Sequence, residues 1–357
     1  MERFLLQQEQ IINSDSMDKD KTIKELNEIN RHLARDLDNS RESLEKLEGN
    51  NHQLLSDIRR TCVRDVISLP GYFKTGEPEN GNIKLTLSKS FGNPDKIEKN
   101  EAHEFARRHT LVHLQSNSVC TWIPKNSCSS LRYSIALANG AISGIGDIDW
   151  IHKNNSSFTA SNKELLTANY SFVILRNPFK RLLSFYCDKL CNSGNNENDK
   201  SYAVTQALMG TDEKTTFADF IKILWRNPSL KKANEHIQDQ CDFLIYKKYH
   251  DYFALEQYKS TATTIHEKTG LTLADVRPYN TIHTSYGCSD SDELSHKTPA
   301  ELIGSAMAES RKPKAEHMYT SEMIKKVGSL YLSDILTYLK AVDNSDEEMI
   351  YWLREMF

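Results

Sequence analysis

Two short segments of this chain combine cations and hydroxyls in a way suited to gripping phosphate. The first, residues 118–132, reads SVCTWIPKNSCSSLR; the second, residues 170–186, reads YSFVILRNPFKRLLSFY. Each is an apolar run, then a turn, then a helical pattern. In the first, Pro124 cannot donate to a sheet ladder and marks the end of a strand, so Lys125 projects at the sheet's carboxyl edge. Asn126, Ser127, Cys128, Ser129 and Ser130 then form a small polar loop leading into a helix. A helix start offers free N–H groups and a positive dipole end, both favourable to anions. For this loop alone, a serine cap and a solvated lysine explain the residues equally well, because G-x-x-x-x-G-K-[ST] is absent. In the second segment Arg176 sits where the strand ends, Asn177 is an N-cap and Pro178 suits the first helical position. A guanidinium forks onto phosphate, and the Ser184 hydroxyl can complete the contact. Alone, an arginine ion pair and a back-bonding helix serine account for it better. Two such units on one sheet make a cradle for a ligand with phosphate at both ends, which points to a nucleotide-using transferase.

The elements that must position these turns follow from periodicity. The reading is a strand at 118–124, a helix at 128–138 and a polar loop through 162. A strand at 171–176 and a helix at 178–191 come next, then a polar insertion at 192–200. Helices are expected at 201–209 and 216–226, a strand-like or turn segment near 243–256, and a closing amphipathic helix at 320–340. Upstream, 101–113 reads as helix and 83–91 as a strand, after a Gly-, Pro- and Asn-rich stretch that reads as linker. Strands alternating with helices predict an α/β fold with a central, mainly parallel sheet.

Residues 21–60 carry an unbroken heptad. Ile23, Asn30, Leu37, Leu44, Asn51 and Ile58 form one seam series, and Leu26, Leu33, Ser40, Leu47 and Leu54 the other. Charged flanks complete a coiled-coil signature, and Asn at two seam positions favours an in-register homodimer. A single solvated helix is the alternative, since Ser40 and Gly49 weaken the seam. The expected organisation is a coiled coil over 1–60, a linker over 61–100 and one large domain over 101–357.

Composition narrows the classes further. A chain of 357 residues is long enough for one large core with an appendage. Its net charge of −4 argues against nucleic acid as a general partner. Seven cysteines fit reduced thiols better than a disulfide framework. Cys187 and Cys191 are close enough to ligate a metal, but both fall in a helical pattern without a second pair, so no metal is expected. The N-terminus lacks the apolar core of a signal peptide, and no stretch approaches the roughly 20 apolar residues of a membrane span. The expectation is a cytoplasmic protein, at most peripheral to a membrane.

Together the two turns resemble the carbohydrate sulfotransferases of the Golgi type and their bacterial relatives, which use 3′-phosphoadenosine 5′-phosphosulfate. The family's first signature stands here as IPKNSCSS and its second as LRNPFKRLLSFY. The stretch FADFIKILWRNPSLKKANEHIQDQCDFLIYKKYHDYFALEQ is similar to the family's acceptor side. Tyr331 and Asp334 fit its last helix. The resemblance covers about 111–340 and implies a P-loop-like three-layer sandwich, the sulfotransferase fold. It implies that Lys125, Asn126, Ser127, Cys128, Ser129 and Ser130 hold the 5′-phosphosulfate, that Arg176 and Ser184 hold the 3′-phosphate, and that His236 matches the histidine of the family's N-x-H-W. The chain departs from the pattern at Ser127, where glycine is common, and at Ser129, which replaces threonine. Ile237 stands in place of the tryptophan after the histidine.

Sulfuryl transfer is in-line displacement, so the catalytic work is positioning and charge stabilisation. Lys125 and the loop N–H groups would meet the charge that grows on the leaving phosphate. The acceptor hydroxyl, on a sugar or another glycan, must lose a proton. His236 is the first candidate base and His152, in the polar loop between the turns, the second. Glu235 or Asp239 could serve instead, and Glu256 could orient the adenosine side or pin the acceptor segment. The alternatives are a nucleotide-dependent kinase-like transferase and a non-catalytic coiled-coil scaffold.

Overall fold

The structure, a computed structural model, describes residues 84–89, 97–154, 156–191, 200–276, 294–304, 313–342 and 347–356. The heptad segment, its predicted dimer, most of the linker and residues 192–199 of the polar insertion lie outside the described residues.

One sheet runs in the order β1 (Thr110–His113), β2 (Ser118–Thr121), β3 (Tyr170–Leu175) and β4 (Asp251–Ala254). β1 pairs antiparallel with β2, while β2–β3 and β3–β4 are parallel. The principal helices are, in chain order, α1 (Glu101–Arg108), α2 (Cys128–Ala138), α3 (Trp150–Lys153), α4 (Pro178–Lys189), α5 (Phe217–Arg226), α6 (Gln240–Phe243), α7 (Tyr258–Thr269), α8 (Ser321–Leu330), α9 (Leu332–Tyr338) and α10 (Glu347–Met356). The result is an α/β domain on a mixed sheet.

β3 is the centre of the sheet because SFVIL can be buried on both faces, as an interior parallel strand requires. Phe172 and Ile174 pack with Cys120, Leu131, Ile135 and Ile265, so α2 and α7 cover one face. On the other face the Thr121 hydroxyl bonds the Tyr249 hydroxyl at 2.7 Å. Tyr249 Oη also accepts the Ile245 N–H at 2.9 Å, so the segment around 240–250 closes that side.

Several boundaries differ from the sequence expectation. The helix expected over 101–113 stops at Arg108, and Thr110–His113 becomes the antiparallel edge strand β1. Its four residues are all buried, and pairing with Ser118–Thr121 decides their conformation over the local helical pattern. The segment near 243–256 resolves into the end of α6 and the parallel strand β4. The closing helix breaks at Tyr331 into α8 and α9, where the Tyr331 hydroxyl donates to the Ile237 carbonyl at 2.7 Å. The helices α7 and α10 were not read from the sequence. Of the strand expected over 83–91, Leu87 makes a single antiparallel bridge to Tyr246.

Tyr249→Phe should destabilise the domain by about 2 kcal/mol, because it leaves the buried Ile245 N–H without its acceptor and the Thr121 hydroxyl with only its longer bond to Thr110. Chemical denaturation checks this; an unchanged midpoint would mean that the hydroxyl pair does not hold the 240–250 segment to β2.

Candidate functional site

Because β2 and β3 are parallel, the turns that follow them emerge at the same carboxyl edge of the sheet. The first turn is tightly wound. Lys125 and Ser127 both take left-handed backbone angles, φ 70° and 60°, without being glycine. Such conformations cost on the order of 1 kcal/mol each and persist only where the surroundings fix them. Asn126 supplies that constraint: its buried Nδ2 donates to the Ile174 carbonyl at 3.0 Å and to Gln240 Oε1 at 2.6 Å. The first helical bond of α2 runs from Leu131 N–H to the Ser127 carbonyl at 3.0 Å. The N–H groups of Ser127, Cys128, Ser129 and Ser130 therefore have no intrahelical acceptor. Cys128 and Ser129 are half-buried, whereas Ser130 is buried and its hydroxyl accepts the Val276 N–H at 3.4 Å. That hydroxyl serves packing in this structure.

The second turn forms as its residues predict. Asn177 caps α4 by accepting the Phe179 N–H at 3.0 Å, with Pro178 at the first helical position. Gln240 then reads the main chain of Arg176 as a neighbouring strand would. Its Oε1 accepts the Arg176 N–H at 3.1 Å and its Nε2 donates to the Arg176 carbonyl at 2.9 Å. The same Oε1 meets Asn126, so one buried amide staples both turns. The Arg176 guanidinium completes the link by donating from Nη1 to the Lys125 carbonyl at 2.8 Å. Glu256, near Arg176, accepts the Asn177 N–H at 3.1 Å and the Tyr338 hydroxyl at 2.8 Å, which pins the start of α4 to α9. Ser184 is buried beside this region and makes no hydrogen bond with the described residues.

Arg181, inside α4, brings the third piece. It donates to three main-chain carbonyls: from Nε to Pro124 at 3.1 Å, from Nη1 to Gln238 at 2.6 Å and from Nη2 to Glu235 at 3.1 Å. A single side chain thus ties the first turn to the segment bearing His236. Asp334 anchors the following turn, accepting the N–H groups of Gln240 and Cys241 at 2.8 and 3.0 Å. Burial pushes its carboxyl up to about 6.

His236 is half-buried against Phe185. Asn234 Oδ1 accepts both the His236 backbone N–H and ring Nδ1–H, each at 3.0 Å. The backbone donor fixes which end of the amide faces the ring, so Nδ1 carries the proton and Nε2 keeps its lone pair. Burial first, and then the Lys125 and Lys189 charges, hold the imidazole at about 3, with Asp188 working the other way. His236 is therefore a neutral base poised beside the first-turn cation. Lys125 itself pairs with Asp188, which also lies 3.8 Å from Lys189. Burial lowers the Lys125 pKa and Asp188 opposes that shift. His152 is exposed on α3; burial and the charge of Arg132 lower its pKa. Glu235 lies 3.4 Å from His109 Nε2, and Asp239 pairs with Lys231 at 2.7 Å.

Of the residues singled out from the sequence, the structure brings Lys125, Asn126, Arg176 and His236 into one constellation. It places His152 on the next helix and engages Glu235 and Asp239 elsewhere. Sequence reading gave no role to Arg181, Asp188, Lys189 and Gln240, and placed Asp334 only in the family's last helix. Arg181 left one local signal, a cation among the apolar residues of a buried helix. Among the described residues no group of acidic, cysteine and histidine side chains could hold a metal ion.

A family model described as the sulfotransferase family matches residues 108–340, from the approach to β1 to the end of α9. The chain belongs to that family. No curated protein and no solved structure matches it.

The folded-state pKa of His236 lies below its free value, so its contribution to stability is full above about pH 6.5 and is lost as pH falls toward about 3. An NMR titration of the imidazole should show it neutral at pH 5, and Lys125→Met should move its midpoint upward. An unmoved midpoint would mean that Lys125 does not act on this ring.

Proposed function

We propose that this sulfotransferase transfers a sulfuryl group from 3′-phosphoadenosine 5′-phosphosulfate to a hydroxyl of a carbohydrate acceptor. The observation that carries the reading is the hydrogen bond from Arg176 to the Lys125 carbonyl. It holds the Arg176 guanidinium against the main chain of the first turn, which also carries the Lys125 side chain, at the edge where two helix starts converge. One nucleotide carrying phosphate at two positions fits such a pair. The free N–H groups of Ser127, Cys128, Ser129 and Ser130, with the Lys125 ammonium, suit the 5′ end. Arg176 and the unpartnered Ser184 hydroxyl suit the 3′-phosphate.

The donor supplies an activated sulfuryl group and a phosphate leaving group. The chain's own residues do the remainder. Lys125 leaves Asp188 to meet the negative charge that grows on the leaving oxygen, in a site where burial strengthens the contact. His236 takes the acceptor proton at Nε2, the nitrogen that Asn234 leaves unprotonated. Anionic phosphate near Lys125 and Lys189 offsets the charges that depress the imidazole, so donor binding raises its basicity. Arg181 keeps His236 against the loop through this change. In this reading the heptads of residues 21–60 supply a homodimer seam. No helix among the described residues is long and apolar enough to cross a membrane.

Radiolabelled donor with a glycan panel should yield sulfated product. Lys125→Ala should lower kcat/KM by about 100-fold or more. His236→Ala should lower kcat by about 100-fold or more while leaving affinity for adenosine 3′,5′-bisphosphate nearly unchanged. Full activity in either variant overturns the role given to that residue.

A further inference from the structure

Between the C-terminal end of α2 and the short helix α3 lies a cleft whose chemistry differs from that of the donor edge. It has a volume of about 500 Å³ and is lined by Ile142, Ser143, Asp147, Asp149, Trp150 and Lys153, with Asn154 at its margin. That volume falls within the range of small-molecule sites, about 300–1,000 Å³. Trp150 is half-buried and rests on Phe158, with ring centroids 6.0 Å apart. It is backed by a small core of Tyr133, Ala136, Ile142 and Ile151. The indole is therefore a supported aromatic surface on a rigid floor. Around it stand groups that can hydrogen-bond hydroxyls. Asp149 is exposed and its carboxylate makes no capping bond. Ser143 donates from N and Oγ to Asp147 Oδ2, both at 3.0 Å, which orders one wall. Asn154 Nδ2 donates to the Trp150 carbonyl at 3.2 Å and orders the other.

The helix that carries Trp150 is tied to α2, the helix that follows the donor loop. Arg132, one turn into α2, donates from Nη2 to the Ile151 carbonyl, between Trp150 and His152. The charges of Arg132 and Lys189 reach His152 on the same short helix. The donor edge carries Lys125, Lys189 and Arg176, but here two carboxylates stand against one lysine.

We propose that this cleft is an acceptor subsite in which Trp150 stacks on an uncharged sugar ring. The inference rests on the carbohydrate-acceptor reading above and adds a substrate class to it. A pyranose presents apolar C–H faces to an aromatic plane and hydroxyls at its rim, which matches an indole ringed by carboxylate, hydroxyl and amide groups. A carboxylated or sulfated ring would bring its charge against Asp147 and Asp149 and is disfavoured.

The test uses the full chain, saturated with adenosine 3′,5′-bisphosphate, on an array of uncharged and acidic oligosaccharides. Calorimetry of the bisphosphate alone runs in parallel. The expected result is preference for uncharged oligosaccharides, a loss of that binding by tenfold or more in Trp150→Ala, and retention of most of it in Trp150→Phe. Asp149→Asn should also weaken it, and bisphosphate affinity should stay unchanged in all three variants. Dominant binding of acidic glycans overturns the proposal, as does glycan binding indifferent to Trp150→Ala in a folded variant. Should Trp150→Ala not fold, undiminished binding in Asp149→Asn overturns it. Absence of any glycan binding also overturns it. In that case bisphosphate binding in the parallel titration shows that the nucleotide reading stands, and its absence shows that both fail.

Discussion

A buried amide holds the two turns of this site together. Gln240 bonds both main-chain groups of Arg176 and the side chain of Asn126. Through those contacts the loop after β2 and the loop after β3 share one polar centre. Without it, two left-handed residues at Lys125 and Ser127 would have little to keep them in place. Asp334 fixes the Gln240 main chain by accepting its N–H, and Asn126 reaches β3 through the Ile174 carbonyl. Gln240 carries no charge and touches no proposed ligand atom, yet the alignment of Lys125 with Arg176 depends on it.

Electrostatics follow from this packing. Lys125, Arg176 and Arg181 are each drawn toward lower pKa by burial, and each is offset by a carboxylate: Asp188, Glu256 and Asp334 respectively. Burial first, and then the charges of Lys125 and Lys189, keep the neighbouring His236 neutral. Asp188 is the counter-ion of Lys125 and also lies 3.8 Å from Lys189. In the proposed reading an incoming phosphate takes the place of Asp188 at Lys125, and Lys189 remains beside Asp188, so neither charge is left alone.

Much of this was legible because its determinants are local. Asn177 and Pro178 announce the start of α4, and the SFVIL run announces a strand buried on both faces. Pro124 ends β2 near the residue expected. The edge strand β1 was not legible, because TLVH continues a helical pattern and only its partner strand makes it extended. The roles of Gln240 and Arg181, and the anchoring role of Asp334, were not legible either. Their roles are set by main-chain groups far away in sequence, and nothing in their neighbours announces that. His236 could be nominated from a family resemblance, but its tautomer required Asn234 in three dimensions. The acidic cleft at Trp150 lay in a stretch that reads only as polar loop.

The most direct measurement is calorimetric titration of the wild-type protein and of Arg176→Lys with adenosine 3′,5′-bisphosphate and with adenosine 5′-monophosphate. The two ligands differ only by the 3′-phosphate. A site in which Lys125 and Arg176 grip opposite ends of one nucleotide predicts that the wild type prefers the bisphosphate by about tenfold or more, roughly 1.4 kcal/mol. A lysine cannot fork onto phosphate as arginine does, so the substitution should narrow that preference. Equal affinity for both nucleotides in the wild type, or an undiminished preference in the variant, would contradict the shared grip.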